Sequence, residues 1–233
     1  MSYPDDQSAV PAREGEATDH DIDFFWDPLC PFCWITSRWV EQLVALRGLR
    51  VNWRFISLAI LNRDNDMSPE RRSRQALGLQ TSRVAAAVKA ELGNEALRRF
   101  ITAYGESVWD GPPGSERRPE LSTPEHLREV LATAGLPTGF ADSLADTSRD
   151  ALLQQETDLG LARTGPDVGT PIITWGPPDG PSFFGPVISR VPSDEDAVRL
   201  WDALTVVATF DSFAELKRTL REPPQLNALN GEG

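Results

Sequence analysis

The chain carries two cysteines, spaced C-x-x-C within the string DPLCPFCW, Asp27 to Trp34. Such a pair can be half of a metal site, a short disulfide staple or a redox couple. Structural zinc needs four ligands. There is no further cysteine to complete the set, and the two histidines, His20 and His126, stand apart, so the expectation is no metal. A staple closing so short a loop would remove little entropy from the unfolded chain. The redox reading gains from position. With Cys30 at the start of a helix, converging backbone N–H groups and the helix dipole favour its thiolate. Pro31 suits an initial helical position, where its missing N–H costs no hydrogen bond. Cys33, almost one turn on and deeper, is placed to attack a mixed disulfide formed at Cys30.

A second stretch bears on the same chemistry. Val168-Gly169-Thr170-Pro171 immediately precedes the apolar run IITW. A proline is tolerated at the first residue of a strand, and X-Pro is where cis peptide bonds occur. A trans proline opening a strand and a cis one turning the Thr170 backbone toward an extended substrate are both open on these residues alone. Trp34 adjoins Cys33 and is expected at the exposed mouth of the junction, whereas Trp53, Phe55 and Trp175 have core-type positions. The candidate site is therefore Cys30 and Cys33 for catalysis, with Pro31, Phe32, Trp34, Thr170 and Pro171 against substrate.

The elements that must position these residues are legible in outline. Ile22 to Trp26 reads as a buried strand that Asp27-Pro28 ends. From Cys33 to about Arg47 apolar residues recur at helical spacing, and Gly48 is the expected stop. Val51, Trp53 and Phe55 alternate against Asn52 and Arg54, a half-buried strand. A helix between two strands implies a parallel pair with a right-handed crossover. Strand-like runs are then missing from about Asn62 to Arg163. Ser68-Pro69 and the capping box Ser122-Thr123-Pro124-Glu125 open helices in that interval. IITW and SFF, separated by GPPDGP, suit an antiparallel hairpin. Ser193 with Asp196 opens a helix, and Ser212 with Glu215 opens a short final one. The organisation is a disordered tail (1–18), a first α/β part (19–61), a helical insertion (62–163), a second α/β part (164–222) and a C-terminal tail (223–233).

The chain has 233 residues and a formal net charge of −12, which argues against a nucleic-acid partner. No stretch is apolar for the length a bilayer requires, so no membrane association is expected. The first residues lack the apolar core of a secretory signal. The expected compartment is the cytoplasm, where thiols are held reduced. No glycine-rich fingerprint opens a helix, so no bound flavin or nicotinamide is expected.

The strand–C-P-x-C–helix opening, the late G-T-P before a hairpin and the helices between them resemble the DsbA branch of the thioredoxin superfamily. The strings DPLCPFCWITSRW, SLAILN, VGTPII, FFGPVISRVP and FAELKRTLREPPQ are similar to the actinobacterial mycothiol-dependent reductases, nitroreductases among them. Phe32 stands where that nitroreductase group carries Trp. FFGPV also resembles kappa-class glutathione transferases and chromene-carboxylate isomerases, which have Ser where this chain has Cys30. The resemblance implies an α/β thioredoxin-like fold (βαβ…ββα) with a large all-helical insertion, and a cis Thr170–Pro171 facing the thiols. It makes Cys30 the nucleophile and Cys33 the resolving thiol of a thiol–disulfide oxidoreductase. Mycothiol or a similar low-molecular-weight thiol would be the reducing co-substrate, disulfides or small electrophiles such as nitro-aromatics the acceptors, and a homodimer the assembly. A protein disulfide oxidoreductase or isomerase, or a ligand-binding module of the same fold, is the alternative.

Overall fold

The computed structural model describes residues 19–115 and 121–229. The tail expected over 1–18 lies outside the described residues. Strand β1 (Ile22–Trp26) is buried along its whole length, which explains why four of its five residues, all but Asp23, are large and apolar. Helix α1 (Pro31–Arg47) follows and ends at Gly48, whose φ of 68° is the left-handed stop that glycine accepts without strain. Strand β2 (Val51–Phe55) buries Val51, Trp53 and Phe55 and turns Asn52 and Arg54 the other way. It pairs parallel with β1, Phe24 opposite Trp53.

The chain then leaves the sheet. A single turn, α2 (Leu58–Leu61), leads to α3 (Pro69–Leu92), α4 (Asn94–Trp109), α5 (Pro124–Thr133) and α6 (Asp150–Thr164), with 3-10 turns at Thr138–Ala145 and Thr147–Arg149. Ser68 caps α3 ahead of Pro69. The cap of α5 is Thr123, not the Ser122 of the expected capping box: Thr123 Oγ1 accepts from the His126 N–H at 3.2 Å. Ser122, at φ 93°, instead sends its hydroxyl to Thr81 (2.8 Å) and the Leu77 carbonyl (3.1 Å).

Strand β3 (Ile172–Trp175) returns antiparallel to β1, and β4 (Ser182–Phe184) closes the hairpin, giving the order β2-β1-β3-β4. Helix α7 (Asp194–Ala208) packs on α1, where Trp39 Nε1 donates to the Ala197 carbonyl at 3.0 Å. The insertion and the sheet share one core: Trp26, Trp34, Trp39, Trp53 and Trp109 are all fully buried in it. Burying a side chain of this size contributes about 2–3 kcal/mol, so the shared core ties the helices to the sheet. Beneath the sheet, Asp23 is buried against Arg163 (2.7 Å) and Arg54 (3.5 Å), and Arg54 reaches Glu156 of α6 at 2.5 Å.

Two expectations fail at the C-terminus. No helix forms after Ser212; residues 209–225 run without one, and Leu216 and Leu220 are 88% and 85% exposed. Their helical spacing meets no surface on which to bury, and an isolated helix of fewer than about 12 residues is marginal in water. The expected tail from residue 223 is also not free. Leu226 and Ala228 are buried, and backbone bonds join Gln225 to Ser189 (2.6 Å) and Ala228 to Trp109 (3.1 Å) and Gly114 (2.7 Å).

Candidate active site

The site begins where β1 runs out. The Cys30 N–H donates to the Asp27 carbonyl at 3.3 Å, tightening the turn so that Cys30 becomes the N-cap of α1 with Pro31 as its first residue. Cys30 Sγ takes the place a serine or aspartate oxygen usually fills, accepting from the Cys33 N–H at 3.3 Å. One of the otherwise unpaired donors of the helix start therefore points at this sulfur. Both cysteines are free, Cys30 at 6% exposure and Cys33 fully buried.

The other wall arrives from far along the chain. The Thr170–Pro171 peptide is cis. The Cys30 thiol faces the Thr170 carbonyl at 3.6 Å, and Cys33 Sγ touches Thr170 Oγ1. Thr170 and Pro171 are buried at the start of β3, while Pro31 and Phe32 are half-buried on the first turn of α1. Burial pushes the Cys33 thiol well up. Its contact with Cys30 adds to that shift, and Thr170 and the Asp27 backbone oppose it. Cys33 thus holds its proton at neutral pH.

Trp34 does not line the mouth. It is 2% exposed and turned into the insertion, where a Cβ on Gly105 of α4 would lie 2.1 Å from its ring. The Arg38 guanidinium lies over the ring at 4.1 Å from its centroid, and Trp34 Nε1 donates to Asp110 Oδ1 at 3.3 Å. The ring docks α1 on α4, so the exposed position expected for it at the mouth is corrected to a buried one. Trp53, Phe55 and Trp175 are core residues.

Asp27 is the residue that sequence reasoning missed. Its carboxylate accepts from the Leu29 N–H (2.9 Å) and the Leu58 N–H (2.8 Å), pinning the cysteine turn to the start of α2. Burial nevertheless raises its pKa to about 6, the two N–H bonds pulling the other way. The available signal was an acid directly after the aromatic end of a buried strand and three residues before the first thiol. Among the described residues no three His, Cys, Asp or Glu side chains converge as a metal site, and no helix is long and apolar enough to cross a membrane.

The fold and this geometry can be set against known proteins. A DsbM cytosolic disulfide reductase from Pseudomonas aeruginosa superposes with a TM-score of 0.52 at 17% identity, covering 80% of this chain and 99% of that one. A probable DsbA oxidoreductase from Streptomyces coelicolor gives 0.51 at 15% identity over 84% and 92%. At such identities these likenesses establish the DsbA-like thioredoxin fold. In sequence, the chain is 28% identical over 201 residues to the uncharacterized protein Rv2286c of Mycobacterium tuberculosis, spanning 84% of this chain and 81% of that protein. Residues 29–218 match the Rv2466c-like family model, described as mycothiol-dependent nitroreductase Rv2466c. The match covers most of the chain and takes in both cysteines, so this protein belongs to the Rv2466c-like family of DsbA-like thiol oxidoreductases.

Proposed function

We propose that this protein is a cytoplasmic thiol–disulfide oxidoreductase in which Cys30 attacks, Cys33 resolves and mycothiol, or a thiol of similar size, supplies the electrons. The observation that carries the reading is Cys30 Sγ capping α1, with the Cys33 N–H donating to it at 3.3 Å and the Thr170 carbonyl facing it at 3.6 Å. A hydrogen-bond donor aimed at the sulfur favours its charged form, and thiolate is the nucleophile in exchange. Cys33, one turn on and protonated, stays out of the first step.

Cys30 thiolate attacks one sulfur of a substrate disulfide, forming a mixed disulfide and releasing the other sulfur as a thiolate, which takes up a proton. Cys33 then loses its proton and attacks Cys30 Sγ, releasing the second substrate thiol and leaving a Cys30–Cys33 disulfide. Two low-molecular-weight thiols reduce that disulfide in two further exchanges and leave as their own disulfide. A nitro-aromatic acceptor would take the same two electrons, with two protons, to yield a nitroso product and water. Family membership supports mycothiol as the reductant and nitro-reduction as one outlet.

The test uses two variants with a mycothiol mixed disulfide as substrate. Cys30→Ser is expected to lose turnover entirely. Cys33→Ser is expected to stall as a covalent adduct at Cys30, visible as an added mycothiol mass. In the reduced wild-type protein, iodoacetamide near neutral pH should label Cys30 and spare Cys33 until the chain is unfolded. Turnover surviving in Cys30→Ser would sink the proposal. Preferential turnover of scrambled protein disulfides would redirect it to polypeptide substrates.

A further inference from the structure

Phe184 is a large aromatic side chain at the site end of the sheet, and nothing in the redox chemistry above uses it. It is the last residue of β4, the edge strand, and 38% of it is exposed. Its ring is laid against the loop that carries Thr170: a Cβ on Gly169 would come within 3.1 Å of Phe184 Cε2 and Cζ. Gly169 is thus the residue that lets the ring lie on bare backbone, one position before the carbonyl that faces Cys30 at 3.6 Å. The chain after Phe184 is fixed at both sides of the site. The Gly185 N–H donates to the Pro171 carbonyl at 2.8 Å. The Pro186 carbonyl accepts from Thr36 Oγ1 on α1 at 2.9 Å, one turn beyond the half-buried Phe32. An exposed ring on an edge strand would ordinarily be free to move; this one is tied to the Thr170 loop and, through the next two residues, to the cysteine helix.

We infer that Phe184 is a specificity-determining residue, whose ring receives the apolar, planar substituent of a small disulfide while its sulfur meets Cys30. The inference rests on the proposed thiol–disulfide chemistry and adds to it a substrate class. An exposed ring has a face to offer, and an aromatic group stacked or set edge-on against it gains more than area alone would give. A small aliphatic disulfide would reach Cys30 without touching the ring. Phe184 then discriminates between acceptors and leaves the reactivity of the sulfur unaltered.

The experiment compares 4,4′-dithiodipyridine, which is planar and aromatic, with 2-hydroxyethyl disulfide, which is neither. In Phe184→Ala, kcat/KM for the aromatic disulfide should fall about three- to tenfold, the range an aromatic pair supports. The aliphatic disulfide and the alkylation rate of Cys30 by iodoacetamide should stay within about twofold, as expected for a surface change remote from the reacting sulfur. Phe184→Tyr should restore the aromatic rate, and Phe184→Leu should not. An equal fall on both disulfides would assign Phe184 a purely structural role and overturn the inference, as would no change on either. Cys30→Ser, run alongside, separates the two ideas. If it still turns over either disulfide, the redox reading has failed; if it is dead while Phe184→Ala is unselective, only the role of Phe184 has failed.

Discussion

The two sides of the first turns of α1 are built differently. On the side facing the insertion, Trp34 packs against the bare Cα of Gly105 and under the Arg38 guanidinium, with Asp110 taking its indole N–H. On the other side, Cys30, which faces Thr170, keeps a little exposure, and Pro31 and Phe32 beside it are half-buried. The closed side is locked by packing, and the open side is where solvent reaches the first sulfur. Thiol exchange needs both, because the attacking sulfur must be positioned before it reacts and must still be reachable.

The largest expected effect breaks the closed side. Trp34→Ala removes a fully buried indole that joins two elements distant in sequence. It should cost about 4 kcal/mol, as large-to-small changes of aromatics in cores do, read as a shift in the denaturant midpoint. A cost under about 1 kcal/mol would be typical of surface positions and would show that the ring does not hold α1 to α4.

Asp27, in the floor of the same turn, gives an effect of nearly that size but only within a pH window. Burial raises its folded-state pKa to about 6. In the unfolded chain it titrates near 4, so between about pH 4 and pH 6 the folded protein holds a proton that the unfolded one has lost. Stability from this group therefore falls as pH rises through that window and is level above it. Two pKa units correspond to about 3 kcal/mol. Asp27→Asn removes the titration. Whatever fixed cost it pays for one lost acceptor, its stability relative to wild type should improve by about that amount from pH 4 to pH 7. A difference that stays constant with pH would mean that Asp27 titrates normally in the fold.

What the sequence made legible follows the same division. Cys30 at a helix start, Pro31, the Gly48 stop and the strand after Thr170-Pro171 all obey rules that operate within a few residues, and each stands where those rules put it. Trp34 was misplaced because its direction depends on α4, which supplies a residue without a side chain at Gly105. Asp27 was passed over because its burial comes from the start of α2, whose Leu58 N–H reaches it. Cap choice at α5 turned on Thr81, across the insertion, which engages Ser122 and leaves Thr123 to cap. Contacts between distant segments, more than local preference, decided each case.

On the open side the effects should be small in stability and selective in rate. Phe32 is half-buried and packs at the edge of the core. Phe32→Ala should cost about 1 kcal/mol or less, since much of the ring already meets solvent. Its effect on turnover should be greater for an aromatic than for an aliphatic disulfide, by about twofold to fivefold. A stability loss as large as that of Trp34→Ala would erase the distinction between the two sides.

The smallest effect is expected after α7, where exposure is greatest. Leu216 and Leu220 repeat at helical spacing but are 88% and 85% exposed, whereas Leu226, a few residues on, is buried in the core cluster. Apolar pattern alone stabilises nothing until a surface covers it; the gain comes from area removed from water. Leu216→Ser and Leu220→Ser, singly or together, should therefore shift stability by no more than about 0.5 kcal/mol. Leu226→Ala, by contrast, should cost about 2 kcal/mol or more, as for other buried leucines. If the exposed pair were to cost more than about 1 kcal/mol, well outside the range for surface changes, these side chains would be covered in solution. The segment would then belong with the closed side of the molecule.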